Sequence, residues 1–170
     1  MLHQVMQRVG LKHWVSWLFV LGLSILLWLS WVSPAWANDY TKEILLNADF
    51  SGKDLTDASF TKANLKNSTF KGSNLSGVSF FGANLEDTNL EGVNLSLATL
   101  DSARLVQANL TNAILEGAFV YSAQFQGAII TGADFTDVDL TDTVQTALCK
   151  VAEGKNTTTG RNTRETLNCG

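Results

Sequence analysis

From Asn38 to its last residue the chain contains no histidine, tryptophan, methionine or proline. Without histidine that stretch cannot assemble a Ser-His-Asp or Cys-His nucleophile, and no histidine-bearing metal centre can form there. Basic residues are scarce as well. Two of the 12 Lys and Arg lie in the first 37 residues, leaving ten against 16 Asp and Glu, a net charge of −6. Such an acidic stretch does not attract phosphate backbones, so nucleic acid is not an expected partner. There is no Arg-Arg pair in the N-terminal segment, which argues against a twin-arginine route. Glycine is plentiful but spread at regular spacing, so no phosphate-cradling loop is present. Cysteine is limited to Cys149 and Cys169. No catalytic residue and no cofactor are assigned.

All five Trp, both His, both Met and the single Pro are confined to residues 1–37. That segment carries Arg8 and Lys12, an apolar stretch from about Trp14 to Val32, and then Ser33-Pro34-Ala35-Trp36-Ala37. Ala35-x-Ala37 is a small-x-small site of the signal-peptidase kind, so residues 1–37 are expected to be a signal peptide cut between Ala37 and Asn38. The apolar stretch approaches the ~20 residues that span a bilayer, so contact with a membrane is expected only where the segment is kept as an anchor. Export into an oxidising space with two cysteines favours a Cys149–Cys169 disulfide. A two-cysteine metal site is not expected, because zinc takes about four ligands.

What the chain has in abundance is a period of five. Every fifth residue from Leu45 to Leu140 is a large aliphatic or Phe, beginning Leu45, Phe50, Leu55, Phe60 and ending Phe125, Ile130, Phe135, Leu140. Two residues before each stands a small residue, often Ala, and the residue between is usually polar, as at Asp49, Asn64, Asn84 and Asn109. Five matches neither the 3.6 of a helix nor the 2 of a flat strand. It suits a chain that turns a corner every five residues. Four such sides make a coil of twenty residues, and residues twenty apart then stack. Phe50 and Phe70 fall in one column and Phe60 and Phe80 in the opposite one. One large and one small inward residue per side would fill the tube and leave no pore. Stacking at about 4.8 Å per coil gives a rod roughly 23 Å long.

Units such as Ala48-Asp49-Phe50-Ser51-Gly52, Ala63-Asn64-Leu65-Lys66-Asn67, Ala83-Asn84-Leu85-Glu86-Asp87 and Ala108-Asn109-Leu110-Thr111-Asn112 resemble the A(D/N)LXX consensus of the pentapeptide-repeat proteins. The resemblance covers residues 46–142. It implies an all-β fold, a right-handed quadrilateral β-helix, with glycine at corners such as Gly52, Gly72 and Gly82. The expected organisation is an N-terminal cap at 38–47, in which Ile44, Leu45 and Leu46 cover the first coil, the repeat at 48–142, and a C-terminal helical cap at 143–170. An open end exposes core and an unpaired strand edge, so caps are required. The pattern fails at Gln145. A short helix is expected from about Thr143 to Glu153, with Val144, Leu148 and Val151 on one face and Gly154 ending it. A second is expected near Thr163 to Asn168, pinned to the first by the disulfide. The stretch Thr159 to Cys169 resembles the tail of exported pentapeptide-repeat proteins of cyanobacteria and plastids. That resemblance implies the thylakoid lumen, with the periplasm as second choice.

The densest acidic group is Asp134, Asp137, Asp139 and Asp142, read as a solvated outer face. Calcium is the sharper alternative, but it takes roughly six to eight converging oxygens. The Asn-x-Ser/Thr triplets at Asn67, Asn74, Asn94, Asn109 and Asn156, four of which come with the repeat, are read as coincidence rather than glycan sites. Apolar residues at outward positions are more informative: Ile114, Phe119 and Ile129 before the core residue, Phe81, Val106 and Tyr121 after it. They are expected to line one exterior wall flanked by Arg104, as a partner surface. The expected function is a non-enzymatic interaction or structural module, monomeric, docking an unidentified protein or membrane complex. The alternative is the DNA mimicry by which some cytosolic relatives protect gyrase, which export disfavours.

Overall fold

The computed structural model describes residues 38–170. The expected signal segment, with its cleavage point after Ala37, lies outside the described residues. Backbone bridges pair residues twenty apart in parallel, from Asp39↔Ser59 and Ile44↔Asn64 to Thr99↔Phe119 and Ile114↔Asp134. Each large inward residue from Tyr40 to Leu115 donates its N–H to the coil above, as Leu65 N to Asn84 O at 2.8 Å. From Ser59 to Asp134, Ser79 excepted, the residue before each large one donates to the coil below, as Asn84 N to Ala63 O at 2.9 Å. The strands are thus one bridge long and the ladder runs along the tube.

The corners explain the period. At every corner but the one at Leu45–Ala48, the N–H of the small inward residue returns to the carbonyl of the large one three before it, as Ala63 N to Phe60 O at 3.0 Å. The residue two after each large one takes positive φ from Lys42 to Asp137, with Asp57 the exception. That is the geometry of a type II turn, which favours Gly and tolerates Asn and Asp. Large inward residues from Leu55 to Leu115 are buried, and so are the small ones. Phe50 stacks on Phe70 at 4.9 Å between centroids and Phe60 on Phe80 at 5.1 Å, while Phe60 and Phe70 meet edge to face at 5.3 Å. Where a small position is polar, its hydroxyl is spent on backbone: Ser73 Oγ donates to Phe70 O at 2.8 Å and Thr88 Oγ1 to Leu65 O at 3.0 Å. Ser68 does more. It donates to Leu45 O at 2.6 Å and accepts from Ala48 N at 3.1 Å, bridging a corner that lacks the direct bond.

The N-terminal cap expected at 38–47 is instead part of the ladder. Asp39 and Ile44 already bridge to the next coil, and Tyr40 extends the Phe60 column at 4.9 Å. Leu45 packs against the core while Ile44 and Leu46 point outward and are exposed, so they cap nothing. The sequence pattern missed this start because Tyr40 interrupts the run of aliphatics and Phe.

At the other end the last parallel bridge is Ile114↔Asp134, and an antiparallel bridge, Lys155↔Asn162, lies in the cap. Helix α1 spans Asp142–Cys149 and helix α2 Thr163–Thr166. Both are shorter than expected. Gly154 does not end α1, which stops at Cys149. Its positive φ (82°) instead lets the chain pass Gly132, whose backbone N would lie 2.9 Å from any Cβ added to Gly154. Cys149 and Cys169 are disulfide-bonded, Cα–Cα 5.6 Å, tying the end of α1 to the C-terminus. Closing a loop of this size contributes about 3 kcal/mol. The cap docks through Gly132 N to Glu153 O at 2.8 Å, Phe135 N to Thr166 Oγ1 at 3.1 Å, and the buried side chains of Leu148, Ala152 and Leu167. Asn156 is its anchor. Its buried amide donates to Gly132 O at 2.9 Å and to Asn112 O and Ala113 O at 3.2 Å, while its Oδ1 accepts from Thr158 N and Thr159 N at 2.9 Å.

Candidate functional site

The twenty-residue register decides which outward side chains share a side. Phe119 and Tyr121 flank Val120, and Phe81 stands two coils below Tyr121 in the same column, with Asp101 between. These three are on one side and are 58%, 77% and 43% exposed. Ile129 is 52% exposed but lies on the opposite side, flanking Ile130. Val106 and Ile114 lie on the two remaining sides and are half-buried. The expected single wall is therefore corrected: its six residues divide among all four sides, and only Phe81, Phe119 and Tyr121 come together. A period of five places residues on successive sides, so closeness in sequence does not bring outward groups together.

Arg104 does not flank that group. It stands beside Val106 on the next side, where its Nη2 donates to Glu86 Oε2 at 2.9 Å, and Lys66 Nζ reaches Glu86 Oε1 at 2.8 Å. Hydrogen bonds from Lys66 and Arg104 hold the Glu86 carboxyl below its ordinary value. This side is a ladder of paired charges, worth little as stability because both cations are exposed. Asparagines form ladders too, on this same side below Arg104 (Asn84 Nδ2 to Asn64 Oδ1) and on the opposite side (Asn94 Nδ2 to Asn74 Oδ1), each 3.2 Å.

The acidic group also resolves differently. Asp137, Asp139 and Asp142 are exposed, but Asp134 is fully buried. Its Oδ2 accepts from Arg161 Nε at 2.7 Å, and its Oδ1 from Thr136 N at 3.0 Å and Thr136 Oγ1 at 2.7 Å. Arg161 also donates to Glu116 through Nη2. Burial pushes the Asp134 carboxyl up, but hydrogen bonds from Thr136 and Thr159 together with the Arg161 charge outweigh it and hold the group below its ordinary value. Asp134 is thus a lock for the cap rather than part of a solvated face. Among the described residues no three His, Cys, Asp or Glu side chains group as a metal site.

Leu97, also exposed, was not among the expected six. Leu97 sits at a corner with φ 59°, where most corners carry Gly, Asn or another polar residue. It is exposed, and Gly117 in the next coil leaves room for its Cδ2, which would stand 2.9 Å from a Cβ there. This corner adjoins the side that holds Phe119 and Tyr121. The signal was available in the sequence: a bulky aliphatic at a position that demands positive φ.

A family model described as Pentapeptide repeats matches eight copies across residues 45–77, 79–117 and 103–142. Among solved structures, a pentapeptide repeat protein from the Arabidopsis thaliana thylakoid lumen is 41% identical, with a TM-score of 0.63, covering 79% of this chain and 86% of its own. Rfr23, a pentapeptide repeat protein from the cyanobacterium Cyanothece 51142, is 30% identical with a TM-score of 0.50, covering 58% of this chain and 64% of its own. Likeness to these structures implies a right-handed β-helix-like solenoid. A search of curated proteins found no match.

Proposed function

The chain belongs to the pentapeptide-repeat family, and we propose that it is a non-enzymatic docking module that works in the thylakoid lumen. The observation that carries the docking reading is the cluster of Phe81, Phe119 and Tyr121 on one side of a filled, stiff tube. Large aromatics held out to water on a rigid backbone give up little entropy on binding and supply most of the energy of small interfaces. The interior is packed with aliphatic and aromatic side chains, so the exterior is where chemistry can meet a partner. Compartment rests on two supports. The N-terminal segment reads as an export signal, and the Arabidopsis relative is a lumenal protein.

The test is in-cell crosslinking and affinity capture of the tagged native protein beside a Phe119→Ser/Tyr121→Ser double variant, with lumenal fractionation of both. The expected result is one lumenal or membrane-complex partner whose recovery falls about tenfold or more in the variant, the loss expected when two contact aromatics are removed. Equal recovery from both proteins would overturn the assignment of this side. Recovery of mature protein from the cytosol, together with gyrase protection in vitro, would replace the reading with DNA mimicry.

A further inference from the structure

We propose that the last coil carries a second site, separate from the aromatic side: a strand-addition edge beside α1 that takes an extended segment of a partner protein with one aliphatic side chain. In complete coils this side forms three bonds per step. Leu105 N donates to Gln124 O at 2.8 Å, Gln107 N to Gln126 O at 2.9 Å, and Gln124 N to Ala103 O at 3.0 Å. One coil further on, the equivalent groups are the N–H of Phe125, the N–H of Gly127 and the carbonyl of Ala123. Among the described residues none of the three has a hydrogen-bond partner. On the next two sides the cap supplies one bond each, Gly132 N to Glu153 O and Phe135 N to Thr166 Oγ1. On the side before, the N–H groups of Val120 and Ser122 also lack partners among the described residues. There, however, Leu140 of the departing chain packs against the core, and the apolar cleft beside α1 does not extend to that edge.

The residue that the repeat would place over Phe125 is Gln145. It has left the coil for α1, where its Nε2 donates to Leu167 O at 2.6 Å. In the space it vacates lies a half-open cleft of about 340 Å³, walled by Phe125 and Ala128 on the coil and by Val144, Ala147, Leu148 and Val151 on and just after α1. Leu148 is buried, but Ala147 is exposed and Val151 is 56% exposed, so the apolar stripe of α1 is only half covered.

Backbone and cleft specify one kind of occupant. Two N–H groups two residues apart and a carbonyl in ladder register match the main chain of an extended strand, not a helix. In the register of the lower coils, the side chain between the two accepting carbonyls points inward over Phe125 and into the cleft. The cleft is lined mostly by hydrocarbon, with Gln126 and Thr143 as its polar side chains, so that side chain is aliphatic. A whole second tube cannot stack here, because the cap occupies two adjoining sides.

The probe is a fluorescein-labelled peptide of residues 41–48, whose Leu45 belongs to the same column as Phe125, titrated into the full-length chain. Saturable anisotropy is expected, with amide exchange at Phe125 and Gly127 slowed about tenfold or more, as bonding to a strand requires. N-methylation of the peptide at Ile44, which removes the donor to Ala123 O, should weaken binding about fivefold, the worth of one hydrogen bond. Val151→Glu, at an exposed position, should weaken it about tenfold or more by putting a charge in the apolar wall, while Tyr121→Ser leaves it unchanged. Unaltered exchange at both amides, or unaltered binding by Val151→Glu, would overturn the site. Sedimentation settles the occupant: self-association of the unliganded chain that Val151→Glu abolishes would make the occupant a second copy and overturn the partner segment.

Discussion

Leu97 holds a left-handed backbone conformation (φ 59°) that disfavours its own side chain. An L-residue with a full side chain pays about 1–2 kcal/mol there, and Asn pays least among non-glycines. Asn already fills the same corner position at Asn47, Asn67 and Asn112. Leu97→Asn is therefore expected to raise stability by about 1 kcal/mol, read as a shift of the urea midpoint. A fall would mean that packing over Gly117 outweighs the strain. If the midpoint rises, the leucine is kept at a conformational cost, which points to use of that corner beside Phe119. Inside the tube the expectation reverses. Leu95 is fully buried at mid-length, so Leu95→Ala should lose about 3 kcal/mol, and Leu95→Asp should leave no cooperative melt, because an unpaired charge would enter a dry core. Inward residues such as Leu95 were legible from the sequence because the period admits one register. Asp134 was not. It occupies the same outward column as Asn94 and Ile114, and only Arg161, twenty-seven residues later, buries it. No local pattern carries that information.

At the scale of elements, the cap is held by charge, by backbone and by one covalent link. Because Arg161 is partly exposed while Asp134 is not, Arg161→Met is expected to cost about 2 kcal/mol, below the range for a fully buried pair. The loss should appear as earlier melting of α1 and α2 than of the coils, resolved by hydrogen exchange. The pH dependence follows from the lowered Asp134 carboxyl. A group lowered on folding contributes fully above its unfolded value, near 4, and that contribution fades as pH falls through the still lower folded value. Cap stability from this source is thus expected to be flat from about pH 5 to 7 and to decline only below about pH 4. In Asp134→Asn the acid decline should shrink; a wild-type decline already under way at about pH 6 would assign the control to another group. The existence of α1 was legible from its apolar stripe of Val144, Leu148 and Val151. Its end was not, since Gly154 has the positive φ of a helix stop but spends it on passing Gly132. A glycine needed for close approach and one needed for termination look alike in sequence.

A molecule built as one continuous ladder has two ends, and each must be kept from adding another chain. The two ends here are treated by different means. At the C-terminal end a folded cap covers two sides and, among the described residues, leaves the backbone groups over Val120 and Phe125 without partners. At the N-terminal end the outward positions of the first coil are Asp39, Asp49 and Asp54, with Ile44 on the fourth side; one coil up the same columns hold Ser59, Thr69 and Asn74. In these bridged columns carboxylates otherwise recur only at Asp134, which Arg161 pairs, so the first coil is where they stand unpaired. Two such edges brought together would oppose like charges at strand spacing, in a stretch that already carries a net charge of −6. We expect residues 38–170 to sediment as a monomer at low salt, and Asp39→Asn/Asp49→Asn/Asp54→Asn to associate under the same conditions. Salt should carry the unaltered protein part of the way, because the screening length falls from about 10 Å at 0.1 M to about 3 Å at 1 M. If the triple variant stays monomeric at every salt concentration, the carboxylates are not the guard, and the exposed Ile44 and Leu46 must be screened by another part of the chain. If it associates, charge guards this edge, while the edge beside α1 stays open to a partner.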